Sequence, residues 1–233
     1  MMNMMELGLF SGQPQFGNFS RLKELLPVSR MAASATPCNF AEGTPIALPD
    51  TYLFEGVQRP TQAFLEDTDT AALLVLQDGA VRLEHYRLTG GRDVQWISWS
   101  VAKSFVSALV GIAVSEGHIA SIADPISGYI RVEPGSAYDG VSIKDVLQMS
   151  SGARWNEDYA DAASDVFRLG ATMAGAMSLD DFVATMVHEA PPGTVCRYNS
   201  GDTQALGALL VKATGKSLTD YMREKLVVPL GFE

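Results

Sequence analysis

The stretch WISWSVAKSFVSALVGIAVSEG, Trp96 to Gly117, limits the possible folds of this chain more than any other. From Val101 to Glu116 apolar residues recur on nearly every side of a helical repeat. The spacing predicts one long buried helix, ended by Gly117. Such a helix needs layers packed around it, which excludes an extended or disordered chain. The composition agrees, since 47% of the 233 residues are apolar and 19% charged, enough for a packed core. One lysine interrupts the run. Lys103 stands three residues after Ser100, where burying an ammonium is costly.

The surrounding pattern is α+β. TAALLVLQDGAVRLEHYRL, Thr70 to Leu88, reads as a β-hairpin turning at Asp78-Gly79, a pair suited to positive φ. A two-stranded hairpin alone is marginal, and further strands to pair with it are not obvious in the sequence. Helices are predicted at 142–149, 178–188, 201–215 and 217–227, with Ser178 and Ser217 as N-caps and Gly215 as a C-cap. Three regions follow: an N-terminal arm over 1–69 with one short helical piece at SRLKELL, a hairpin over 70–98, and a helical region over 99–233. The open hairpin edge leaves pairing into a homo-oligomer as one possibility.

Several function classes are excluded. A net charge of −10 and a pI near 4.7 argue against a nucleic-acid surface. No apolar run reaches the roughly 18 residues of a membrane span, and no basic segment precedes an apolar one at the N-terminus. Two cysteines, Cys38 and Cys196, are too few for a disulfide framework or a structural zinc site, which predicts a reducing, cytoplasmic setting. Metal-ligating motifs and phosphate-cradling glycine loops are lacking, so no metal and no cofactor is expected. The acidic run DYADAASD, Asp158 to Asp165, reads as a solvated loop.

Residues three apart on a helix share a face, so a helix beginning at Ser100 brings Lys103 within reach of its hydroxyl. A lysine amine ordinarily titrates at about 10.4. Burial against Val101, Phe105 and the neighbouring tryptophans disfavours the charged form, and a neutral amine can take the serine proton. The helix N-terminus adds backbone N–H groups for a developing oxyanion. A second copy of the spacing, Ser20 to Lys23, reads as an ordinary N-cap followed by an exposed lysine. Farther on, CRYNSGDTQALG places Tyr198, Asn199 and Ser200 in a polar turn before a buried helix. Tyr198 is either a proton-transfer partner of Lys103 or a rim tyrosine, and Ser200 either faces a cleft or caps the helix.

Taken together, SVAKSF, the preceding hairpin, VLQMSSGARWNEDY and YNSGDTQALG resemble the serine β-lactamase and penicillin-binding-protein superfamily. They look most like its esterase and 6-aminohexanoate-dimer hydrolase branch. The resemblance runs from about residue 45 to the end. It implies a β-lactamase/transpeptidase-like fold, with an antiparallel sheet, of which only the N-terminal hairpin is found here, against a mainly helical domain. It implies Ser100 as acyl-forming nucleophile, Lys103 as proton acceptor and Tyr198 as the tyrosine of the Tyr-x-Asn/Ser element. Ser200 holds that element's third position, beside Asn199, and Tyr159 matches a tyrosine that contacts the substrate amide. A small-molecule ester or amide is the implied partner. The superfamily's Lys-Thr-Gly or His-x-Gly strand is not found: KATG, Lys212 to Gly215, has an extra residue and falls at a predicted helix end. The expectation is therefore an N-terminal portion of such an enzyme; the alternative is a truncated module that binds ligands without turnover.

Overall fold

A computed structural model describes residues 7–10, 14–172 and 177–233, which divide into two compact units. The smaller holds the described residues of 11–27 and 38–97. Its strands β1 (Ala41–Glu42), β2 (Thr51–Phe54), β3 (Val57–Pro60), β4 (Ala72–Gln77) and β5 (Ala80–Tyr86) form two sheets. β4 and β5 pair antiparallel across the predicted turn, where Asp78 and Gly79 take φ of 54° and 75°. Positive φ at both central residues matches the right-handed twist of the strands. A bulge interrupts the pairing between Val75 and Leu76.

The hairpin is not alone. β1 pairs parallel to β5, with Ala41 opposite Ala80, and β2 and β3 form a second hairpin closed by Glu55-Gly56. Three helices complete the unit: α1 (Pro14–Phe19), α2 (Leu22–Leu25) and α3 (Thr61–Asp67). Ser20, expected to cap the helix at SRLKELL, instead donates to the Gly17 carbonyl at 3.0 Å and closes α1, while Lys23 is exposed.

The larger unit holds residues 7–10 and 28–37 and the described part of 98–233. Its helices are α4 (Ala102–Ser115), α5 (Ile143–Leu147), α6 (Asp165–Thr172), α7 (Leu179–Ala184), α8 (Ser200–Thr214), α9 (Leu218–Met222) and α10 (Val228–Leu230), with a π turn at Arg223–Val227. α8 is the central element and packs on α4, α5 and α7. Leu109, Val110 and Ala113 of α4 join Leu206, Leu209 and Leu210 of α8, Ile143 and Val146 of α5 and Val183 of α7 in one core, all buried. Ser142, Ser178 and Ser217 cap their helices by accepting from the N–H of Asp145, Asp181 and Asp220 at 3.0–3.1 Å. Each satisfies an amide the first turn leaves open. Gly215 ends α8 with φ of 68°.

One expectation needs correcting. α4 is not buried all round: Ala102, Ser104, Ser107, Ala108 and Gly111 are exposed, and Val101 is 60% exposed. The outer residues are small, and counting Ala and Gly as apolar made the pattern read as buried. The acidic loop after Asp158 is exposed, as expected, and its carboxylates also order the backbone. Asp158 and Asp161 accept from the amides of Ala160 and Ala163, and Asp165 from that of Asn156, which shapes the chain into α6.

At Gly152 (φ 78°), any Cβ would overlap the Ala190 carbonyl oxygen. The Gly152 carbonyl accepts from the amides of Glu189 and Ala190 at 2.8 and 3.1 Å, so two backbone segments lie directly together.

Candidate active site

Ser100 sits in a single 3₁₀ turn, Trp99–Val101, that runs straight into α4. Ser100 in the turn and Lys103 in the first turn of α4 are three residues apart and so face the same side. Lys103 Nζ lies 2.9 Å from Ser100 Oγ. Trp99, immediately before the serine, has φ of 43°, a left-handed conformation that a tryptophan holds only under constraint from its surroundings. Its ring packs on Phe10 at 5.3 Å. Ser100 is exposed and Lys103 half-buried, and the expected cover from Val101 is absent because that side chain points to solvent.

Tyr198 meets the pair through its ring: Lys103 Nζ stands 4.8 Å from the ring centroid, a cation–π arrangement. The tyrosine hydroxyl makes no hydrogen bond among the described residues. The next two residues face other ways. Asn199 is 1% exposed and is the N-cap of α8, its Oδ1 accepting from the amides of Gly201 and Asp202 at 2.7 and 3.2 Å. Expected to touch substrate, it is turned inward and supports the turn instead. Ser200 begins α8 rather than capping it, and its hydroxyl donates to Glu157 Oε1 at 2.8 Å.

Glu157 gathers this side of the site. Its Oε2 accepts from Trp155 Nε1 at 2.6 Å and the Ser200 amide at 3.1 Å, while Oε1 accepts from Tyr159 and Ser200 hydroxyls at 2.8 Å each. Tyr159 and Ser200 are thereby brought together on one carboxylate. Burial, then the hydrogen bond to Glu157, pushes the Tyr159 phenol well above its ordinary value, so its proton stays on. The Tyr159 ring lies 5.9 Å from Phe10, the same ring that packs on Trp99. Phe10 therefore links the tyrosine to the serine turn. Among the described residues no group of His, Cys, Asp and Glu is arranged to hold a metal.

The match to a family model decides what this geometry belongs to. Residues 57–233 fit the model described as Beta-lactamase. The chain is a member of the beta-lactamase family. A 6-aminohexanoate-dimer hydrolase of Paenarthrobacter ureafaciens is 32% identical over 224 residues, which cover 89% of this chain and 54% of the relative. The chain thus spans about half the length of that curated relative. Among solved structures, a Bacillus anthracis protein provisionally assigned as a 6-aminohexanoate-dimer hydrolase superposes with a TM-score of 0.84 at 20% identity, covering 96% of this chain and 61% of that one. EstCE1, a hydrolase with promiscuous acyltransferase activity, gives 0.57 at 18%, covering 74% and 50%. At these identities the superpositions establish the beta-lactamase/transpeptidase-like fold.

Beneath the Ser100 turn and the Tyr198 turn lies a group that sequence reasoning missed. Asp202, 1% exposed, accepts on Oδ1 from Tyr138, Ser151 and Asn199 at 2.8, 2.7 and 3.1 Å. It reads in sequence as an acidic residue in a helix's first turn, favourable to the dipole and no more. Glu157 was equally silent. The separation of 43 positions between it and Ser200 follows no spacing rule that would pair them.

Proposed function

We propose that this chain carries the acylating centre of a serine hydrolase acting on ester or amide bonds. The observation that carries the reading is the 2.9 Å contact between Lys103 Nζ and Ser100 Oγ on the turn entering α4. Ser100 attacks the substrate carbonyl, its proton passes to Lys103, and the backbone N–H of Ser100 faces the oxyanion as that proton leaves. Tyr198, stacked on the amine, helps return the proton to the leaving group. Tyr159 and Ser200, both on Glu157, form the wall that meets the substrate. Small esters and ω-amino-acid amides are the favoured substrates over penicillins, a choice supported by the Paenarthrobacter relative, which is named for hydrolysis of a 6-aminohexanoate dimer.

No helix among the described residues is long and apolar enough to cross a membrane, and both cysteines are free and exposed. These features support work in a reducing cytoplasm. A fluorophosphonate probe tests the reading. It should label wild-type protein at Ser100, as read by peptide mass, and should leave Ser100→Ala unlabelled. Label on another residue, or none on folded wild-type protein, overturns it.

A further inference from the structure

One buried group is spent by none of these steps. Asn199 Oδ1 is occupied by two amides of α8, so its Nδ2 must find an acceptor in the core, and Asp202 Oδ1 is that acceptor at 3.1 Å. The same oxygen takes the Ser151 hydroxyl from the loop after α5 and the Tyr138 hydroxyl from the segment before it. Three chain segments are thus gathered on one atom, directly under the residue that follows Tyr198. The second oxygen, Oδ2, is buried and has no hydrogen-bond partner. A carboxylate so placed is unusual, because an unpaired buried acceptor is costly.

We propose that Asp202 is a positioning residue whose ionised carboxylate holds the Tyr198–Asn199–Ser200 turn in the geometry that lets Tyr198 sit over Lys103. The proposal rests on the hydrolase reading for its consequence in catalysis, but not for the geometry itself. Ionised, Asp202 makes charge-assisted bonds to all three donors. Protonated on Oδ2, it keeps Oδ1 only as a neutral acceptor, and the pull on Asn199 Nδ2 weakens. Burial pushes the carboxyl up to about 7, against the opposing effect of the bonds from Ser151 and Tyr138. The switch therefore falls near neutrality. Around the carboxylate, the segment at 136–141 offers the titratable Tyr138, the loop at 150–153 offers Ser151 and α8 offers Asn199, none charged at that pH. The Tyr138 phenol is itself held far above its ordinary range by burial and by Asp202.

The test follows two readouts on the full chain. In the first, the Asn199 side-chain amide is followed by NMR from pH 5 to 9. It should titrate near 7 in the wild type and stay flat in Asp202→Asn. In the second, the rate of Ser100 labelling by a fluorophosphonate is measured over the same range. Wild-type labelling should fall about tenfold on the acid side of neutrality, and Asp202→Asn should lose that limb. Ser151→Ala, which removes one bond favouring the charged form, should move both midpoints upward and keeps the variant series informative if Asp202→Asn fails to fold. An Asn199 amide that is flat in the wild type, or midpoints unmoved by Ser151→Ala, overturns the proposal. If the amide titrates as stated while Ser100 is never labelled, the positioning role stands and the hydrolase reading falls.

Discussion

The two halves of the candidate site are built in opposite ways. The serine turn, Trp99 to Lys103, is exposed apart from the half-buried Lys103, and one hydrogen bond joins Ser100 to Lys103. The tyrosine element, Tyr198 to Asp202, is anchored below by Asp202 and at its side by Glu157, which together collect seven donor contacts. On the proposed hydrolase reading, the contrast separates two tasks. A nucleophile must be reached by a substrate, so its surroundings are thin. A wall that orients the substrate must not move, so it is tied to several segments at once.

The largest break in that comparison comes on the thin side. Ser100→Ala should lower turnover of a p-nitrophenyl ester by at least about 10³-fold while the far-UV circular dichroism spectrum stays unchanged. Lys103→Met should cost about 10²–10⁴-fold in kcat, the range expected for a proton-transfer partner, with the melting temperature near that of wild type. A strong loss of stability there would show that the lysine is structural.

The anchored side should answer differently. Glu157→Gln keeps the shape, and its oxygen can still accept from Trp155 and the Ser200 amide. Its NH₂ must then face the Tyr159 and Ser200 hydroxyls, which can turn to accept from it. The Tyr159 proton is thereby released outward. About a tenfold change in kcat/KM is expected, differing between an amide and the matching ester. An equal change for both would mean that Tyr159 does not sense the leaving group.

Asp202 has the reverse sign in stability. Its folded-state value is raised from 3.8 to about 7, so its contribution is full below pH 4 and is lost as pH rises to 7. Wild type should lose on the order of a few kcal/mol relative to Asp202→Asn between those values, at about 1.4 kcal/mol per unit, as read from urea unfolding at stepped pH. The smallest effect belongs away from both halves. Ser178→Ala, which removes the cap of α7, should cost about 1 kcal/mol and leave labelling of Ser100 untouched.

Local rules made much of this legible. The Asp78-Gly79 turn, the Ser178 and Ser217 caps and the Gly215 stop each depend on a few adjacent residues, and each forms as the sequence predicts. The Ser100–Lys103 contact was legible for the same reason, being fixed within one turn of chain. What the sequence hid depends on contacts across long stretches. Glu157 with Ser200, Ser151 with Asp202 and β1 beside β5 have no periodicity to reveal them. The overstated burial of α4 has another cause: a helix of Ala, Ser and Gly between larger residues scores as apolar without having an apolar face to hide.

The close passage of residue 152 against residue 190 has a bearing on how such a site can diversify. Because two main chains touch there, no side chain fits at 152, and every sequence sharing this path must keep the hydrogen-only residue. On the proposed reading, variation in substrate preference is thereby pushed outward, onto exposed positions such as Tyr159. A saturation library would be expected to fall silent at one position and turn productive at the other.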